Sequence, residues 1–93
     1  MSKKVICIPE RFDFGYHKEF TQQYQNLLAD NNVTEIELAF SRVEYLDSSA
    51  LGMMVLLQKK AKIQNVSISI KEPKENTKEI LQIANFDQLF DIS

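Results

Sequence analysis

The segment Tyr45-Leu46-Asp47-Ser48-Ser49-Ala50-Leu51-Gly52-Met53-Met54 marks a change from an extended chain to a helix. Asp and Ser are favoured at helix N-caps because their side chains accept hydrogen bonds from the orphan N–H groups of the first turn. An almost wholly apolar run, Ala50 to Leu57, follows at once. The same helix end carries the positive pole of the aligned peptide dipoles and so suits a phosphate. Two readings of the serines stay open on these grounds: plain caps, or a modifiable hydroxyl beside a docking surface. Helix physics alone allows either Ser48 or Ser49 to be that hydroxyl.

Reading outward, the helix is expected over about Ser48–Ile63. Its second half, Gln58-Lys59-Lys60-Ala61-Lys62, is basic and suits the negative C-terminal pole. Beyond it, Val66, Ile68 and Ile70 alternate with Ser67 and Ser69, as in a strand. Pro73 marks the start of a further helix, with Ile80, Leu81 and Ala84 as its buried stripe. The tail residues Phe86, Leu89, Phe90 and Ile92 read as a short turn or strand covering the sheet.

On the N-terminal side, Ile36, Leu38 and Phe40 share one face of a half-buried strand, with Glu35 and Glu37 opposite. Asp30-Asn31-Asn32 forms the turn before it. Tyr16, Phe20, Tyr24, Leu27 and Leu28 recur at helical spacing and predict an amphipathic helix. Val5-Ile6-Cys7-Ile8 reads as a strand closed by Pro9, and Arg11-Phe12-Asp13-Phe14 as a second short strand or extended link. Strands alternating with helices predict an α/β fold of βαβ units. The expectation is a single domain over residues 1–93, with a small, mostly parallel sheet against about three to four helices. The short first strand pair would make that sheet mixed.

The composition fits a soluble globular domain: 93 residues, 44% hydrophobic, 26% charged, net charge -2. No basic patch is evident, which argues against nucleic-acid binding. The longest apolar stretch is far short of the roughly 20 residues a membrane span needs, and the N-terminal run is too short for a signal peptide. The expected home is the cytoplasm, with no membrane partner. Cys7 is the one cysteine and reads as a buried small hydrophobe in a reducing compartment.

Enzyme chemistry finds little support. His17 is the only histidine, and a lone helical histidine is more often a packing or surface residue than a base. No metal-ligand spacing and no phosphate-binding loop occur, so no cofactor or metal is expected; the only glycines are Gly15 and Gly52. A serine hydrolase would need His17 to reach Ser48 or Ser49. Gly52 is more telling. A glycine inside a helix costs about 1 kcal/mol relative to alanine, and this one lies one turn after Ser48 on the same face. It fits close approach by a partner, or equally close contact with the sheet or a neighbouring helix. The helix also begins apolar on more than one face, which makes Leu51, Met53, Met54 and Leu56 candidates for a docking surface.

The segment Val43-Glu44-Tyr45-Leu46-Asp47-Ser48-Ser49-Ala50-Leu51-Gly52 closely resembles the signature of the STAS domain, as found in bacterial anti-sigma factor antagonists. That pattern is a hydrophobic residue, Asp-Ser-Ser, Gly or Ala, then Leu-Gly. Arg11-Phe12-Asp13-Phe14 is similar to the family's loop after its early strands, and Asn85-Phe86-Asp87-Gln88-Leu89-Phe90 to its C-terminal segment. Ala50 stands where glycine is more typical, and the N-terminal strand region is shorter than in many members.

The resemblance implies that Ser48, directly after the Asp, is the phosphorylated serine. It implies an anti-sigma factor that is also the serine kinase, a serine phosphatase that reverses the mark, and an unmodified form that binds the anti-sigma factor and frees a sigma factor. Asp47, Ser49, Leu51, Gly52, Met53 and Met54 are the expected partner contacts, on a monomer or weak dimer. The rival readings are a kinase-independent STAS scaffold in a signalling or transport complex, and a hydrolase built on Ser48 or Ser49.

Overall fold

The structure is a computed structural model and describes residues 2–93. The main elements are β1 (Ser2–Cys7), β2 (Arg11–Phe12), α1 (His17–Leu28), β3 (Val33–Ala39), β4 (Tyr45–Leu46), α2 (Ser48–Ile63), β5 (Ser67–Lys71), α3 (Glu75–Ile83) and β6 (Asp91–Ile92). Short 3-10 turns lie at Phe14–Tyr16 and Phe86–Gln88. Four strands form one sheet in the order β1-β3-β5-β6, and every pairing in it is parallel.

The first strand pair does not make this sheet mixed. β1 and β2 are not neighbours; β2 pairs instead with β4, also in parallel, as a separate two-residue ladder. Ile8 N–H still donates to Ala39 O at 3.1 Å, and Pro9 follows outside the ladder. The chain order across the main sheet never reverses. With right-handed crossovers, such an order sends every connecting helix to the same face.

Burial agrees with that geometry. Ile6, Ile8, Ile36, Leu38, Phe40, Ile68 and Ile70 are buried under the helices. The alternate residues Lys3, Val5, Cys7 and Ser67 face away and are exposed, while Glu35 and Glu37 are half-buried. Strand alternation therefore corrects the expectation for Cys7: it lies between inward Ile6 and Ile8 and so points outward. On this open face Lys3 pairs with Glu37 at 2.8 Å, and the Ser69 hydroxyl donates to Glu35 at 3.3 Å.

Helix ends follow local chemistry. Asn65, with φ 59°, closes α2 in the left-handed region. Val66 N–H donates to Ala61 O at 2.9 Å and Asn65 N–H to Lys62 O at 3.1 Å, the paired bonds of a Schellman stop. Asp30 holds the turn before β3 by accepting from Asn32 N–H at 2.9 Å. Pro73 lies one residue outside the α3 N-cap, which is Lys74. The α3 stripe is led by buried Leu81 and Thr77, with Ile80 and Ala84 half-buried. The tail adds β6 to the sheet edge and buries Phe86 and Phe90, but leaves Leu89 exposed.

Aromatic rings fill the gap between α1 and the sheet. Phe12, fully buried, meets Phe20 at 5.2 Å, Tyr16 at 5.8 Å and Phe40 at 6.1 Å, each edge-to-face. Phe12→Ala is expected to cost about 3–5 kcal/mol, read as a lowered urea midpoint. Burial, reinforced by Glu19, raises the pKa of the Tyr16 phenol above its ordinary 10.0. A pKa raised on folding adds stability that is complete below pH 10 and is lost as pH climbs through the raised value. Ultraviolet titration of wild type and Tyr16→Phe is expected to show Tyr16 ionising late, on the alkaline side of free tyrosine.

Candidate functional site at the N-terminus of α2

The β2–β4 ladder delivers the chain to the start of α2. Arg11 lies opposite Tyr45, and Phe12 opposite Leu46. Glu10 O accepts from Glu44 N–H at 2.8 Å and Tyr45 N–H at 3.1 Å. Buried Phe12 and Leu46 anchor the ladder on the core, so the backbone at residue 47 starts from a fixed place.

Asp47 is the N-cap. Its backbone is extended (φ -112°), and its Oδ1 accepts from Ala50 N–H at 2.9 Å. Asp47 O accepts the first intrahelical bond from Leu51 N–H, at 3.2 Å. Ser48 and Ser49 thus occupy the first two helical positions, and neither is the cap. Both are exposed, and among the described residues no hydrogen bond engages either hydroxyl.

Helix phase sorts the remaining candidates. Ala50, Met53, Met54, Leu57 and Ala61 recur at three- and four-residue steps and form the buried face. The expectation that Met53 and Met54 contact a partner is corrected by this: they are 7% and 0% exposed and belong to the core. Leu51 is half-buried against that core, while Leu56 is 45% exposed. Gly52 is exposed, and a Cβ built on it would meet no atom within 4 Å. Close packing on the sheet or on a neighbouring helix is therefore not what requires this glycine.

The sequence reading missed two surroundings of the site. The Arg11 guanidinium lies 4.3 Å from the centroid of the half-exposed Tyr45 ring, and Arg11 Nε donates to Asp13 Oδ2 at 3.0 Å. This cation–π contact arises because β2 and β4 pair in parallel, a pairing that no local signal encodes. The second is a tie to α3: Lys74 pairs with Glu44, and Asn76 Nδ2 donates to Glu44 O at 3.3 Å. His17 stacks on exposed Phe14 with centroids 5.3 Å apart, and among the described residues no hydrogen bond joins it to either serine. No group of three or more His, Cys, Asp or Glu side chains among the described residues is gathered to hold a metal.

This arrangement is a parallel, one-sided α/β sheet with an Asp-Ser-Ser corner presented at a helix start. The family model described as "Mlab, STAS domain" matches residues 2–91, and the chain belongs to the STAS domain family. A STAS-domain containing protein of Pseudomonas aeruginosa (strain UCBPP-PA14) is 41% identical over 89 residues, covering 96% of this chain and 86% of the relative. Among solved structures, the anti-sigma factor antagonist SpoIIAA in its unphosphorylated form has the same fold, with TM-score 0.82 at 15% identity over 98% of this chain and 80% of that one. SpoIIAA of Bacillus in its phosphorylated form gives TM-score 0.73 at 16% identity, over 96% of this chain and 80% of that one. A putative anti-sigma factor antagonist of Thermotoga maritima gives 0.80 at 22% identity, over 95% and 77%. Among the described residues, no helix is long and apolar enough to cross a membrane.

Substitutions at two positions probe the corner without touching the core. Asp47→Ala is expected to destabilise by about 1 kcal/mol, and Asp47→Asn by much less because Asn also caps. Gly52→Ala meets open space and is expected to stabilise by up to about 1 kcal/mol. Chemical denaturation of the three variants checks both signs.

Proposed function

We propose that this protein is an anti-sigma factor antagonist whose Ser48 is a phosphorylation switch. The unmodified chain binds an anti-sigma factor that is also a serine kinase and releases a sigma factor; phosphorylation of Ser48 ends that binding, and a serine phosphatase restores it. The reading assigns no catalysis to the chain and places the cycle in the cytoplasm. One observation carries it: in the Asp-Ser-Ser motif, Asp47 takes the cap and leaves Ser48 exposed at the first helical position. The structural neighbour SpoIIAA, described as an anti-sigma factor antagonist and solved in both unphosphorylated and phosphorylated forms, supports it by analogy.

The physics of the switch is local. A phosphoserine adds about -1.5 to -2 charge and three strong acceptor oxygens. The first turn of α2 tolerates this, because its dipole and free N–H groups favour an anion. The fold is kept while the surface changes. Beside Asp47, the added charge makes the corner strongly negative, so an acidic or apolar partner surface loses affinity through repulsion and desolvation. Ser49 and half-buried Leu51 border the switch, and Gly52 leaves room for a partner backbone one turn on.

The matched family model is named for Mlab rather than for an anti-sigma factor antagonist. That observation favours a second reading, a STAS subunit that scaffolds a signalling or transport complex with no kinase involved. The two separate experimentally. Phosphosite mapping on the chain purified from its own cells is expected to find phosphate on Ser48. Binding to the co-purifying partner is expected to persist in Ser48→Ala and to fall at least tenfold in Ser48→Asp, a difference of about 1.4 kcal/mol. Equal binding by all three forms, with Ser48 never modified, would establish the scaffold instead. Gly52→Ala is expected to weaken the same binding while stabilising the fold.

A further inference from the structure

The outward face of α2 does not end at Gly52. At 3.6 residues per turn, Ser48, Gly52, Leu56, Lys59 and Ile63 fall within about 80° of arc and form one stripe along the helix. Its two apolar members stand clear of the core, with Leu56 45% and Ile63 82% exposed. They lie one heptad apart, roughly 10 Å, and Ile63 is roughly 22 Å from Ser48. Beside Ile63 a shallow dent of about 310 Å³ opens between α1 and α2, floored by Leu28 and Ala29 and rimmed by Gln25, Lys60 and Gln64.

The charge that α2 itself carries along this stripe has one sign. Helix α2 contains no Asp or Glu, and its second half carries Lys59, Lys60 and Lys62. Among the described residues none of the three forms an ion pair; Lys60 instead lies 5.8 Å from the centroid of the Tyr24 ring. Two exposed apolar anchors at a heptad spacing, flanked by unpaired cations, fit an amphipathic helix with acidic flanks. A second copy fits poorly, since two such faces would bring their lysines together. An anionic membrane fits poorly as well, because two apolar side chains offer little surface to insert.

We infer that the Leu56–Ile63 half of the α2 outer stripe, with the dent beside Ile63, binds an acidic amphipathic helix of the same protein partner that meets Ser48. The partner helix lays one apolar side chain into the dent and sets its carboxylates against Lys59 and Lys62. This rests on the reading of the Ser48 end of α2 as the partner-facing surface, and it extends that surface along the helix.

The test places a photo-crosslinking residue at position 49, 56 or 63 of the full chain in its own cells, and maps the crosslinked peptides by mass spectrometry. One protein captured at all three positions is expected, with the peptide joined to position 63 rich in Asp and Glu. Lys59→Glu with Lys62→Glu is expected to cut capture at position 63 at least tenfold, with the circular dichroism spectrum unchanged. The Gln pair at the same positions is expected to give a smaller loss. Capture at 49 but not at 56 and 63 overturns the inference. So does capture of a second copy at 63, indifference to charge reversal, or lysine-dependent sedimentation with phosphatidylserine vesicles. Adding Ser48→Asp separates the two readings: unchanged capture at every position would remove the switch and leave the stripe standing.

Discussion

The bond from Ala50 N–H to the Asp47 carboxylate sets where α2 begins, and with it the rotational phase of the helix. Each residue of delay in the start would turn the helix by about 100°. With the start at Ser48, Ala50, Met53, Met54, Leu57 and Ala61 meet the sheet, and Ser48, Gly52 and Leu56 meet solvent. The β2–β4 ladder fixes the position of Asp47 itself, because Phe12 and Leu46 are buried in the core. Core packing and surface presentation are two results of one constraint.

The sheet explains why the site is a surface rather than a cleft. Ligand crevices in open α/β sheets form where the strand order reverses and helices diverge to opposite faces. Here the order β1-β3-β5-β6 never reverses, so the main sheet has no such point. What the fold offers is the outer side of a helix and its exposed first turn. Such a shape suits recognition of another protein better than enclosure of a small molecule. On the opposite sheet face Ser69 donates to Glu35 and Lys3 pairs with Glu37, beside exposed Val5 and Cys7.

Cap and switch are compatible roles for the same corner. A helix start needs acceptors for its orphan N–H groups, and those groups also favour a phosphate. Because Asp47 supplies the cap, the serines are free of that structural duty. A modified Ser48 would then alter what the surface binds without removing what holds the helix.

Much of this was legible in the chain. Periodicity located α1, β3 and β5, because helix and strand each impose one spacing on residues that must face a core, and the cap followed by an apolar run located α2. The Asp-Ser-Ser corner and its helix start were visible for the same local reason. What the sequence left open was orientation. Cys7 sits in an apolar run yet points outward, since which side of a strand is covered depends on where the helices pack. Met53 and Met54 looked equivalent to Leu56 on an all-apolar helix half, and only the direction of the sheet divides them into core and surface. Gly52 allowed an internal or an external reason, and the open space at its missing Cβ removes the internal one. The chain by itself determined the elements and the chemistry of the corner, because both are set by neighbours within a few residues. The tertiary structure decided which side chains the solvent meets, because burial depends on contacts between segments far apart in sequence.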